Sequence, residues 1–272
     1  MTNKVLIFNP RSANAKHRLP NTIIQVGASI HGIYEYVFVD GNMETNPWDT
    51  INNYFKKGEF KYFCLTVMPG PQLKQAIPFS KKIKALYPES INIWGGYFAS
   101  NQHKACLNSG YVDYIINGPG DKTFPKLLDY LEGKTNDNIS LIRNLIYKND
   151  NGEITQTVKE ALLDQDSLPA YPYTYFNSFY PLKNYLAKTF MGQRTFAYHS
   201  SMGCPFSCSF CAVVPIYNAK WKAKSATNIY KDVKRFKNEY QIDAVEFHDN
   251  NFFTSKKRVI EFSELVINDN IQ

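Results

Sequence analysis

Five times between residue 4 and residue 131 the chain repeats one pattern: a short apolar run rich in β-branched and aromatic residues, then a stretch with helical spacing. A strand that leads into a helix before the next strand returns to the same end of the sheet, so neighbouring strands run parallel. The pattern predicts strands over 4–8, 34–39, 62–67, 91–94 and 111–116, and helices over 21–30, 46–57, 72–87, 102–108 and 123–131. Gly32 suits the residue after the first helix, and Asn46-Pro47 starts the second by capping and first-turn preference. Pro78 is expected to bend or interrupt the third. The fold class expected is α/β, a doubly wound, flavodoxin- or Rossmann-like parallel sheet.

In such sheets ligands sit outside the carboxyl ends of the strands, and the chain places its glycines there. Met68-Pro69-Gly70-Pro71 follows the third strand, Gly95-Gly96-Tyr97 the fourth and Gly118-Pro119-Gly120-Asp121 the fifth. Glycine at a strand end lets a flat or bulky ligand approach the backbone, although the same residues also make plain tight turns. No G-x-G-x-x-G follows the first strand, which disfavours a nicotinamide or flavin dinucleotide.

A second feature is chemical. In SSMGCPFSCSFCAVV, Cys204, Cys208 and Cys211 stand at the spacing C-x3-C-x2-C. Three thiols on one loop cannot pair off as disulfides without leaving one over, so a soft metal or a metal cluster is the natural occupant. Pro205 removes one backbone donor, while Ser207 and Ser209 leave room for amide N–H groups to turn towards cluster sulfurs. Three cysteines on a four-iron cluster leave one iron without a protein ligand. His199 precedes the loop, so a Cys3His zinc site is an alternative, although structural zinc usually draws ligand pairs from separated knuckles.

The loop resembles that of the radical S-adenosylmethionine (SAM) enzymes, whose C-x3-C-x-aromatic-C pattern is matched by Cys204, Cys208, Phe210 and Cys211. The resemblance implies a [4Fe-4S] cluster on the three cysteines, with the open iron chelating SAM and an electron splitting it to methionine and a 5′-deoxyadenosyl radical. The strand-like TFAYHSS before the loop, Trp221 and Ser225 after it, and DAVEFHDNNFF further on are similar to the family's first and second barrel strands. By the same resemblance Phe210, Asp249 and Asn250 are candidate SAM contacts, the last two as acceptors from its ammonium. Glu246 and His248 alternate along that strand and could face the barrel interior, the helix layer or solvent. Family members often carry arginine where Lys222 or Lys224 stands, and lysine lacks the planar fork for a bidentate carboxylate contact.

Upstream, LTVMPGPQLKQA, IWGGYFAS and YVDYIINGPGDKTFPKLL are similar, in order and spacing, to the cobalamin-binding domain in front of many radical SAM enzymes. Met68, Gly70, Gly95, Gly96, Gly118 and Gly120 then become candidate cobalamin contacts. Many cobalamin domains supply a cobalt-ligating histidine from D-x-H-x-x-G, whereas this chain reads NPRSANAKHRLP, and His17 lacks that spacing. No protein histidine is expected on the cobalt. A domain that keeps the fold without the cofactor is the alternative.

These readings divide the chain into a cobalamin-binding domain over 1–135, a hairpin and aromatic connector over 136–190, and the start of a radical SAM domain over 191–272. The hairpin is expected around the turn-rich KNDNGE, and the aromatic YPYTYFNSFYP is expected to pack as core at the domain junction. After the loop, helix 227–240, strand 244–248 and helix 256–268 make two βα units of a partial (β/α)6 barrel, and the resemblance implies about four more, so a fragment of a longer protein is expected. A truncated form would leave an open sheet edge.

Lys and Arg number 31 against 24 acidic residues, a net charge of +7, but the lysines are scattered and no nucleic-acid module is present. The N-terminal apolar run breaks at once at Asn9-Pro10, unlike a signal peptide, and no stretch approaches the roughly 20 apolar residues of a membrane span. Five cysteines, an odd number, fit a reducing, cytoplasmic compartment, and Cys64 and Cys106 read as buried apolar thiols. The function implied is SAM cleavage coupled to cobalamin, for methyl transfer to, or cyclisation or rearrangement of, a small-molecule or peptide substrate. Flavodoxin or ferredoxin would be the reducing partner. The contrasting reading is a non-catalytic corrinoid- or zinc-binding protein.

Overall fold

The computed structural model describes residues 3–12 and 18–269, which fall into two compact units. The first contains β1 (Lys4–Asn9), α1 (Asn21–Ile30, counted from Thr22), β2 (Tyr36–Asp40), α2 (Pro47–Lys56), β3 (Phe60–Thr66), α3 (Leu73–Leu86) and β4 (Ile91–Gly95). It continues through α4 (Gly96–Asn101), α5 (His103–Asn108), β5 (Tyr114–Ile116), α6 (Thr123–Leu131), β6 (Leu145–Lys148), β7 (Ile154–Gln156) and α7 (Tyr173–Phe179).

Seven strands form one sheet in the order β2-β1-β3-β4-β5-β6-β7, and the first five are parallel. The hairpin β6–β7 continues it with β6 antiparallel to β5. Strands covered on both faces read as continuous apolar runs, and β1 is buried over five consecutive residues. Leu6, Phe8, Phe63, Leu65, Trp94 and Ile115 belong to one buried cluster on this sheet. Trp94 satisfies its indole N–H on Ser80 Oγ at 3.0 Å, so the largest core side chain leaves no orphan donor.

One local expectation changes, and one short helix lies where none is expected. Pro78 does not interrupt α3, which runs unbroken past it, because one missing N–H near the helix start forfeits a single bond while Ala76, Ser80 and Ile83 stay buried. The helix expected over 102–108 is present as α5, and a further short helix precedes it, α4, which begins directly at the end of β4 and ends at Gln102, where φ −116° and ψ 31° leave the helical range. The aromatic connector supplies α7, whose Phe176 and Tyr175 pack against Phe38 and Tyr36 of β2 with ring centroids 5.2 and 4.9 Å apart. Those rings are core in the first unit.

The second unit holds β8 (Thr195–Tyr198), β9 (Ser201–Gly203), α8 (Val214–Tyr217), β10 (Trp221–Ala223), α9 (Ala226–Tyr240), β11 (Ala244–Phe247) and α10 (Lys256–Asn268), with the segment 18–21. β8 and β11 pair in parallel through the α9 crossover, while β9 and β10 form an antiparallel ribbon. Ser225 caps α9 by accepting from Asn228 N–H at 3.3 Å, and Gln241 ends it in the left-handed conformation. Phe196 of β8 stacks on Phe236 of α9 at 4.2 Å, the centre of this unit's core.

Candidate functional site

In the first unit the strand order 2-1-3-4-5 reverses between β1 and β3, and sheets of this kind bind ligands outside the carboxyl ends of the strands at such a reversal. A buried polar network lies at these strand ends. Asn9 at the end of β1 donates to Asp40 Oδ1 at 2.8 Å, and Gln72 donates to Asn9 Oδ1 at 3.3 Å and to the Pro10 carbonyl at 2.9 Å. Gln72 also accepts from Met68 N–H at 2.7 Å, which pins the turn after β3. Met68 itself is 41% exposed. Sequence reading missed Asn9, Asp40 and Gln72, although polar residues just past apolar strands were the available signal.

The six candidate contacts lie at the ends of β3, β4 and β5, which are adjacent in the sheet. Gly70, Gly96 and Gly118 hold φ of 100°, 86° and 124°, the region that favours glycine. At Gly96 a Cβ would also stand 2.7 Å from Val67 N. Around Gly95 a Cβ would make ordinary van der Waals contact with the Ile116 and Leu65 carbonyls at 3.9 and 4.0 Å, whereas at Gly70 nothing lies within 4 Å. Lys159 reaches the carbonyl and side-chain oxygen of Asn117, just before Gly118, at 2.7 and 2.6 Å, and burial lowers its pKa to about 8. His17 lies outside the described residues.

In the second unit, Cys204, Cys208 and Cys211 occupy the loop between β9 and α8. All three are free thiols, Cys204 and Cys211 half-buried and Cys208 exposed. A turn closes under them through Cys211 N–H to the Cys208 carbonyl at 3.1 Å. Phe206 and Phe210 are 57% and 90% exposed. Cys64 and Cys106 are buried, with burial raising both thiol pKa values, Cys106 to about 11, so neither offers a thiolate at neutral pH.

The ends of β8 and β11 frame this loop's base. Pairing of Phe247 with Tyr198 places His248 beside His199, their rings 5.9 Å apart. Burial, with His248 adding to it, lowers the His199 pKa to about 4, so its imidazole is neutral at physiological pH. Phe247 packs on Phe252 and on Phe262 of α10, so Glu246 and His248 take the opposite face. There Glu246 accepts from Arg18 Nε at 2.9 Å and lies 3.2 Å from His248 Nε2. Burial acts to raise the Glu246 pKa, but His248 and Arg18 outweigh it and hold the carboxyl below its usual range. Lys224 is committed to Asp232 at 2.7 Å.

Asp249 and Asn250 follow directly and differ in access. Asn250 is exposed, whereas the Asp249 side chain has no exposure and accepts from Ser200 N–H, Ser200 Oγ and Ser201 Oγ at 2.6, 2.5 and 2.7 Å.

Among the described residues no three His, Cys, Asp or Glu side chains close on a single metal ion. A cubane cluster makes a different demand, one thiolate on each of three irons, and three free thiols on one accessible loop fit it. At the other unit, the open space at Gly70 and the glycine-favouring conformations at Gly70, Gly96 and Gly118 fit a flat macrocycle. No helix among the described residues is long and apolar enough to cross a membrane.

No family model matches the chain. It is 23% identical over 294 residues to cytidylyl-2-hydroxyethylphosphonate methyltransferase of Streptomyces wedmorensis, an alignment covering 91% of this chain and 55% of that protein. It is 26% identical over 191 residues to hopanoid C-3 methylase of Methylococcus capsulatus, covering 68% of this chain and 34% of that one. Among solved structures it superposes on the cobalamin-dependent SAM radical enzyme OxsB, seen with aqua-cobalamin and SAM bound, with a TM-score of 0.79 at 16% identity. That match covers 98% of this chain and 37% of OxsB. The radical SAM methyltransferase TsrM of Kitasatospora setae, seen with cobalamin and a [4Fe-4S] cluster, gives a TM-score of 0.72 at 14% identity and covers 98% of this chain and 51% of TsrM. The chain thus spans about half the length of the curated relatives it matches first. In fold the chain is similar to cobalamin-dependent radical SAM enzymes, the resemblance expected from the cysteine loop and the glycine turns, and in sequence it is similar to methyltransferases.

Proposed function

We propose that this chain carries the cobalamin-binding and SAM-cleaving portions of a radical SAM methyltransferase. The observation that carries the reading is the free, accessible Cys204–Cys208–Cys211 loop, set in a fold that matches OxsB over 98% of the chain. When bound, a [4Fe-4S] cluster and SAM would supply a carbon-centred radical, and cobalamin a transferable methyl group.

The chain's own residues then take these parts. Cys204, Cys208 and Cys211 hold the cluster, and Phe210 and Asn250 border SAM beside it. Met68 and the turns at Gly70, Gly95, Gly96, Gly118 and Gly120 take the corrin face, with no histidine ligand from the protein. The parallel pair β8 and β11 with α9 and α10 forms the first βα units of a (β/α)6 barrel. The boundaries we assign are 1–135 for the cobalamin domain, 136–190 for the connector and 191–272 for the radical SAM portion. A small-molecule or peptide substrate and a flavodoxin- or ferredoxin-type reductant complete the proposal, within a reducing cytoplasm suited to five free thiols.

Anaerobic reconstitution with iron and sulfide tests it. Wild-type chain should gain the brown absorbance of a four-iron cluster and Cys208→Ala should not. Iron without sulfide, or zinc alone, would overturn the cluster. Corrinoid retention, read by its own absorption, tests the first unit separately.

A further inference from the structure

Around one buried carboxylate in the second unit, several elements are tied together. Asp249 Oδ1 takes the Ser200 N–H, and Asp249 Oδ2 takes both the Ser200 and Ser201 hydroxyls. In the first turn of α10, Arg258 keeps 7% of its side chain exposed and stands 3.8 Å from Asp249 Oδ2. Arg258 Nη1 donates to Ser200 Oγ at 3.0 Å and Nη2 to the Phe252 carbonyl at 2.8 Å. Its guanidinium lies over the Trp221 ring at 5.3 Å and the Phe252 ring at 4.7 Å. A planar, weakly hydrated cation is suited to such a sandwich.

Position in the chain gives the pair its meaning. Ser201 opens β9, whose last residue, Gly203, precedes Cys204; Trp221 opens β10 and pairs with Gly203. One ion pair therefore grips both strands of the ribbon from which the cysteine loop hangs. The carboxylate already serves three protein donors in a site closed to solvent, so it presents nothing to an external ammonium.

We infer that Asp249 and Arg258 are positioning residues for the cysteine loop, and that Asp249 influences bound SAM only by fixing where the loop and the end of β11 stand. The inference rests on the cluster assignment proposed above. It replaces a direct contact between Asp249 and SAM with an indirect one.

The test compares wild type, Asp249→Asn, Arg258→Lys and Ser200→Ala after anaerobic reconstitution. It measures the thermal melt, iron and sulfide per chain, the rate of cluster loss to a chelator, and the electron paramagnetic resonance signal of the reduced cluster with and without SAM. All three variants should lose the cluster about 10-fold faster than wild type, the effect expected of groups that orient metal ligands without binding metal. Where removing half of a buried ion pair abolishes a co-operative melt, Ser200→Ala, which deletes one hydroxyl, decides the matter. Wild-type cluster retention in the folded variants would overturn the inference. Loss of the SAM-induced signal change in Asp249→Asn alone, with retention intact, would show direct contact instead and overturn it equally. Failure of wild type itself to assemble a cluster would refute the underlying assignment, a result distinguishable from failure of the variants.

Discussion

Gly203 faces Trp221 across the β9–β10 ribbon, and it does so with φ at 76°. A Cβ on Gly203 would run into the Lys220 carbonyl and come within 3.2 Å of the Tyr217 ring. Two penalties therefore coincide immediately before Cys204, one from the left-handed backbone and one from crowding. Gly203→Ala should lower stability by more than the roughly 1–2 kcal/mol that the backbone conformation alone costs. Gly32→Ala is the matched control, since Gly32 has φ 77° and nothing within 4 Å of a Cβ. Urea unfolding of the two variants should separate the terms, and equal costs would show that the ribbon yields.

Thiol accessibility divides the cysteines. Cys204, Cys208 and Cys211 lie at least partly in solvent, whereas Cys64 and Cys106 are buried thiols with raised pKa values. Metal-free protein treated with an aromatic disulfide at neutral pH should release three equivalents quickly and the remaining two only on unfolding. A fourth fast equivalent would show that the core around Cys64 or Cys106 opens.

Acid should weaken the fold through His199. Its pKa is about 4 in the folded protein against 6.5 for the free side chain. Between those values the unfolded chain binds more protons, so stability is whole above about pH 6.5 and declines as the pH falls towards 4. The decline attributable to this group is about 3 kcal/mol. Denaturant midpoints measured across that window should fall for wild type and fall less for His199→Gln; parallel curves would mean that burial of His199 does not depress its protonation.

The indole N–H of Trp94 depends on Ser80. Both residues are fully or almost fully buried, and the 3.0 Å bond is the one this donor makes. Ser80→Ala should cost about 1–3 kcal/mol, the penalty for a buried polar group left without a partner, out of proportion to the small volume removed. A midpoint unchanged in urea would indicate that water takes the hydroxyl's place.

What the sequence revealed and what it hid follow from the range of the interactions. The strands of the first unit and helices α1, α6 and α9 announce themselves because burial on one or two faces writes a local period. The three-residue strands β9 and β10 carry no period, and α7 hides in YPYTYFNSFYP, where aromatics fall on every side. Joining of the β6–β7 hairpin to β5 is a long-range event with no local mark. The cysteines were legible from spacing alone, and Cys64 and Cys106 from apolar surroundings. The Ser200–Asp249 bond spans 49 residues and Arg258 reaches back 58, so neither could be read without the register of β8 against β11. That same register puts His199 beside His248, which alternation along each strand leaves unpaired.

The bareness of the loop around Cys208 has a practical side. Two phenyl rings and a free thiol on one turn make a patch that water does not shield, attractive to other chains and easily oxidised. Material prepared in air would be expected to cross-link and precipitate through this one turn long before either unit unfolds, and its filled form should be the better behaved.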